Sequence, residues 1–232
     1  MDDTQELTDR LEFVRGRIGR ACERSGRAPA SVRLLAITKG FSAETVRSAM
    51  RLGLRELGEN RVQEAEEKIS VLQPPPRWHL VGHLQRNKAR RAVQLFEVIH
   101  SLDSVQIAEE VSRRAAESPK RIECLVEVNT SGDESKFGVA PGGTLDLLRT
   151  AGKLEGIDLR GLMTLGPLAG GLEGARRAFR DLAAIRDQAV RAGLLAEDAD
   201  LSMGMSNDFE IAIEEGATII RLGAALFGAR DA

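Results

Sequence analysis

Residues 34–42 read LLAITKGFS: four apolar residues run into Thr38, then Lys39 and Gly40. A lysine closing an apolar run has either reached solvent or supplies an amine that some reaction needs. Other polar and small residues end later apolar runs in the same way. Glu59-Asn60 closes one, His83 another, and Asn129 opens the loop SGDESKFG. Residues 202–206 read SMGMS, and Arg221 is followed by Gly223 and Ala224. Ser206 precedes a helical pattern, and helix N-termini present N–H groups that suit an anion. Glycine at 223 lets a ligand approach the backbone closely. These residue types suit a phosphate held between the SMGMS turn and Gly223-Ala224. With Glu59 or His83 as a base, the same mouth would suit a sugar-phosphate enzyme. Each residue also has a plainer reading: Asn60 and Ser206 are good helix N-caps, and Arg221 could form an ion pair. His79, His83 and His100 match no HxxxH or HExxH metal spacing.

The elements that must position these residues follow from periodicity. Leu7, Leu11, Val14, Ile18 and Cys22 recur at helical spacing over 4–25. Eight strand-like runs follow, from VRLLAITK to IIRLGAALFG, each separated from the next by a helix-like run. The strands are apolar almost throughout, as parallel strands buried on both faces are. Asp103 is expected to cap the helix over 104–117, with Gln106 three residues on. The pattern predicts an α/β chain, a single (β/α)8 TIM barrel over 1–232 preceded by one extra helix. An open doubly wound sheet would carry GxGxxG after its first strand, and none is present. In such barrels the site lies at the C-terminal ends of the strands, where the polar residues gather. Residues two apart on a strand share a face, so an inward Lys39 implies inward Ile37 and Leu35.

Composition narrows the function. The 232 residues are 42% hydrophobic and 29% charged, with a formal net charge of -2. That balance gives no footprint for nucleic acid or a membrane surface, and aromatics for base stacking are scarce at 3%. Cys22 and Cys124 form no CxxC pair and read as free, buried small hydrophobes in a reducing compartment. The acidic, polar start lacks the regions of a signal peptide, so a cytoplasmic location is expected. A monomer is expected as well.

The words GENRVQE, WHLVGHLQRNK, IHSLD, SGDESKFG, GLMTLGP, SMGMSNDFEIAIEEG and RLGAALFG occur in this order from about Leu35 to Arg230. Together they resemble the pyridoxal phosphate homeostasis protein family. Two words depart from that family: ITKG stands where SKT is common, and RLGAALFG where RIGTAIFG is common. Ala224 therefore lacks a hydroxyl that a threonine would offer to phosphate.

The resemblance implies a single barrel like the N-terminal domain of alanine racemase. It implies pyridoxal 5'-phosphate bound as a Schiff base to Lys39. Phosphate contacts would fall on Ser206, Gly223 and Ala224, with Arg221 facing the pyridine nitrogen and Asn60 near the ring. The implied role is carrier or buffer in intracellular vitamin B6 homeostasis without robust catalysis, with apo enzymes as possible recipients. The chemistry agrees. Imine formation needs an uncharged amine, and burial near Arg221 would lower the lysine's pKa. Arginine does not deprotonate, so the ring nitrogen would stay unprotonated and the ring a poorer electron sink. A racemase-like enzyme, or weak transimination, is the alternative implied by analogy. A two-base racemase of the alanine type needs a tyrosine, and this chain contains none.

Overall fold

In the computed structural model of the chain, residues 3–117, 120–133, 135–167 and 170–229 are described. Glu134 in the SGDESKFG word and Arg230 at the end of the resemblance lie outside them. The strands are β1 Arg33–Ile37, β2 Glu56–Glu59, β3 Arg77–Leu80, β4 Val98–Leu102, β5 Ile122–Glu127, β6 Ile157–Met163, β7 Asp200–Ser202 and β8 Ile219–Leu222. The helices are α1 Asp3–Arg24, α2 Ala43–Arg51, α3 Val62–Ile69, α4 Ala89–Leu95, α5 Val105–Ala115, α6 Thr144–Ala151, α7 Gly171–Arg191, α8 Phe209–Glu214 and α9 Ala224–Phe227. Every strand pairs in parallel with the next, and β8 closes on β1. The expected closed barrel, with α1 as the extra helix, is the observed one.

Register sorts the strand residues into two shells, because partners in a parallel pair share a face. Ile37 pairs with Gly58, and Leu35 pairs with Arg221. Leu35, Ile37, Val98, Leu125, Met163 and Ile219 pack together as the inner shell. Strand residues of the alternate parity, such as Ala36, Leu57, Ile99, Cys124 and Leu222, pack outward with the helices. Burying each large aliphatic side chain is worth about 1.5–3 kcal/mol. The short β1 therefore has one apolar face for each shell.

The N-terminal end of the barrel is closed by charges. Arg33 pairs with Asp200 at 2.5 Å, Arg77 with Glu123 at 2.6 Å and with Glu56 at 3.8 Å. Helix α1 buries Leu7, Leu11, Val14, Ile18 and Cys22 and packs on α8 and α9. Arg17 and Arg24 tie it to Glu210 and Glu214 at 2.7 and 2.8 Å.

Helix starts depart from the sequence expectation. The N-cap of α5 is Ser104, and Asp103 instead faces His83 across 3.1 Å. The N-caps of α3 and α8 are Arg61 and Asp208, so neither Asn60 nor Ser206 caps a helix. The end of the GAALFG segment is the short helix α9. Both cysteines are free and buried, and burial raises both thiol pKa values.

Candidate functional site

The ladder of β1 extends to Thr38, whose N–H donates to the Gly58 carbonyl at 2.9 Å. Lys39 comes next, half-buried, in step with the inward Leu35 and Ile37. The residues on either side of it are clamped. Lys68 Nζ, on α3, donates to Thr38 O at 2.6 Å, to Glu59 Oε1 at 2.6 Å and to Glu64 Oε1 at 2.9 Å. Thr38 Oγ1 donates to Glu59 Oε1 at 2.5 Å, and the Gly40 N–H to Glu64 Oε1 at 2.5 Å. Gly40 has φ +76°, a left-handed turn that glycine adopts freely. The lysine thus stands on a turn fixed from both sides.

This clamp corrects one candidate. Glu59 shares the outward face of β2 with Leu57 and spends its carboxylate on Thr38 and Lys68, so it is no base at the mouth. Burial pushes its carboxyl pKa up, against the opposing pull of Lys68 and Thr38. Its second oxygen, Oε2, is buried without a hydrogen-bond partner.

Asn60 follows on the alternate face from Glu59, the face of Gly58. It lines a cleft of about 560 Å³ with Gly82, His83, Gln85 and Lys88. A Cβ at Gly82 would lie 2.3 Å from the Asn60 carbonyl oxygen, so β2 and β3 can end this close only with glycine at 82. The His83 ring stacks on Phe137, centroids 3.7 Å apart and planes 8° apart.

Arg221 is 4% exposed, inside the barrel rather than in an ion pair at its rim. Its guanidinium donates from Nη1 to Ser202 Oγ at 2.7 Å and from Nη2 to the Thr164 carbonyl at 2.8 Å. Burial lowers its pKa to about 10, opposed by the charges of Glu127 and Asp208. Glu127, paired in register with the inward Met163, is itself pushed up to about 7 by burial and Asp103, while Arg221 pulls it down. Burial also raises Asp208, which accepts the Met205 N–H at 2.6 Å.

The phosphate candidates come together. Ser206 Oγ accepts the Ala225 N–H at 3.1 Å, tying the turn after β7 to the first turn of α9. Gly223, the N-cap of α9, lies against β1: a Cβ there would sit 3.3 Å from Ile37 O. Asn60, Lys39, Arg221, Gly223 and Ser206 therefore belong to four contiguous strands and their C-terminal turns, β2, β1, β8 and β7. Asn60 stands across β1 from the other residues and shares no hydrogen bond with Arg221 or Ser206 among the described residues.

Sequence reasoning weighed His79 and His100 only as metal ligands, took Ser202 only as part of SMGMS, and passed over Glu127 and Lys68. The first four are polar residues on strands that read as apolar, and that exception is the signal they carry. Lys68 lies on a helix whose polar face reads as solvated.

The donor set is an amine, a buried guanidinium, a hydroxyl and backbone N–H groups near a helix start. It fits a ligand with an electrophilic carbon, a ring acceptor and an anionic tail. The Ser206–Ala225 bond and the close approach of Gly223 to Ile37 bring the turn after β7, the start of α9 and the end of β1 together. No cluster of three metal-ligating side chains occurs among the described residues. Nor is any described helix long and apolar enough to cross a membrane.

Comparison with known proteins identifies the family and the fold. Residues 21–231 match the family described as alanine racemase, N-terminal domain. A pyridoxal phosphate homeostasis protein of Aquifex aeolicus is 41% identical over 96% of this chain and 97% of its own length. A protein of unknown function from Bifidobacterium adolescentis superposes with a TM-score of 0.90 at 38% identity, covering 98% of this chain and 97% of that one. PipY of Synechococcus elongatus, solved with pyridoxal phosphate bound, superposes with a TM-score of 0.80 at 36% identity, covering 91% of this chain and all 100% of its own.

Proposed function

Because the chain belongs to the pyridoxal phosphate homeostasis protein family, we propose that it holds pyridoxal 5'-phosphate covalently at Lys39 and carries or buffers it within the cell. The single observation that carries this reading is the seam of the barrel. There β1 and β8 pair in register, so the strand bearing Lys39 lies beside the one bearing Arg221 and Gly223.

When bound, the cofactor would supply an aldehyde carbon to an amine, and a conjugated ring. The residues do the rest. Lys39 Nζ would be the amine that takes the aldehyde carbon once it has lost its proton. Arg221 offers donors and no acceptor, so it would hydrogen-bond a ring nitrogen without giving it a proton. That would keep the ring a weak electron sink and turn the site away from transaminase and decarboxylase chemistry. Ser206 with Gly223 and Ala224 would take the phosphate, Ala224 through its backbone alone. Asn60 would border the ring from the β2 side.

Holding without committed turnover suits a carrier. A tyrosine base of the racemase kind is absent from the chain. Of the two bases a sugar-phosphate reading could use, Glu59 is sealed beside Lys68, and His83 is paired with Asp103 and stacked on Phe137. The whole chain would act as one cofactor-binding unit, monomeric and cytoplasmic, with apo enzymes as recipients. The test is to mix loaded protein with an apo enzyme and compare transfer with free release. Transfer faster than release supports direct delivery, and transfer at the release rate indicates buffering. A colourless protein after incubation with excess cofactor contradicts the reading.

A further inference from the structure

A line of polar side chains crosses the barrel interior from its charged end to Arg221. Glu56 Oε2 lies 2.6 Å from His79 Nε2, His79 Nδ1 2.8 Å from His100 Nε2, and His100 Nδ1 2.9 Å from Ser202 Oγ. Ser202 Oγ then receives Arg221 Nη1 at 2.7 Å. His79, His100 and Ser202 are each 1% exposed or less. Burying so many polar groups among Leu35, Val98 and Ile219 costs free energy unless every one is satisfied.

The ends of the line dictate its protons. Arginine can only donate, so Ser202 Oγ accepts from it and has its own proton left for His100 Nδ1. A neutral His100 then carries its proton on Nε2 and donates to His79 Nδ1. His79 in turn carries its proton on Nε2 and donates to Glu56, which as a carboxylate can only accept. Donors run in one direction from Arg221 to Glu56, and every bond has one proton. Burial, with the nearby charge of Arg221, holds His100 well below the usual histidine range, as this order requires. Against its burial, the hydrogen bond from His79 and the nearby Arg77 and Arg33 hold the Glu56 carboxyl below its ordinary range, so the terminal acceptor is charged.

We propose that this line orients Arg221 toward the cofactor ring, making Ser202 and His100 positioning residues and Glu56 the anchor that fixes both histidine tautomers. The proposal rests on the cofactor reading above. With two donors held by Ser202 and Thr164, the planar guanidinium cannot rotate freely, and its remaining donors keep one direction.

The experiment has two arms. The first reads the tautomers of the three histidines of the full chain by long-range proton–nitrogen NMR on nitrogen-15-labelled protein, assigned with single histidine variants. Neutral His79 and His100, both protonated at Nε2, are expected. A proton on His100 Nδ1, or a doubly protonated His79 at neutral pH, overturns the line as drawn. The second loads the wild type, Ser202→Ala and Ser202→Thr with pyridoxal 5'-phosphate. Ser202→Ala is expected to move the visible band and weaken binding about tenfold, while Ser202→Thr, which keeps the hydroxyl, restores both. Expected tautomers with an unmoved band in Ser202→Ala overturn the positioning role alone. A wild type that takes up no cofactor overturns the cofactor reading and the role that rests on it, leaving the tautomer result to stand separately.

Discussion

Lys68 crosses from α3 to donate to the Thr38 carbonyl at 2.6 Å, so a buried ammonium on a helix holds the residue that precedes Lys39. The same ammonium is paired with Glu59, which is fully buried and also holds Thr38 by its side chain. Site and scaffold meet at this turn.

Lys68→Met should therefore be costly. Removing one partner of a buried pair typically costs about 3–5 kcal/mol, and it leaves Glu59 beside an unheld turn. Glu59→Gln combined with Lys68→Met should recover part of that loss, which urea unfolding of the single and double variants would measure. Equal losses in both would place the stabilisation elsewhere.

Gly82→Ala tests the close approach of β2 and β3. The added carbon would meet the Asn60 carbonyl oxygen, a backbone atom that cannot swing aside. Overpacking of this kind costs about 1–3 kcal/mol. A lower thermal midpoint and weaker cofactor uptake are expected. An unchanged midpoint would mean that the two strand ends separate easily.

Glu127 makes stability depend on pH. Its folded pKa of about 7 lies above its ordinary value of 4.5. The folded state therefore binds the proton more tightly, and this contribution is complete below about 4.5 and lost as pH rises through about 7. A shift of that size corresponds to roughly 3 kcal/mol. Glu127→Gln should flatten the fall in stability over that window, read from unfolding curves at pH 5 and pH 8. An identical slope in wild type and variant would put the titration on another group.

The legible part of this protein was its order. Strands buried on both faces read as apolar runs, and eight of them alternating with helices leave few arrangements besides a closed barrel. Parity along β1 marked Lys39 as a continuation of the Leu35 and Ile37 face. Cap chemistry misled, because a serine or asparagine before a helix serves whatever donor the fold brings near. Ser206 takes the N–H of Ala225, from another turn of the chain. The His79–His100–Ser202 line was hidden for a related reason. Parity assigns each residue a face, but only the closed register sets those faces against each other. Lys68 was hidden by its residue type, since a helix lysine ordinarily faces water.

The central claim is the bond at residue 39, and trapping tests it most directly. Loaded protein is reduced with borohydride, digested, and the peptides weighed, with Lys39→Ala as the companion. The account predicts the added mass of the reduced cofactor on the peptide containing Lys39. It also predicts a colourless Lys39→Ala protein that stays folded and soluble. The added mass on another lysine, or a Lys39→Ala protein that still turns yellow, would contradict it.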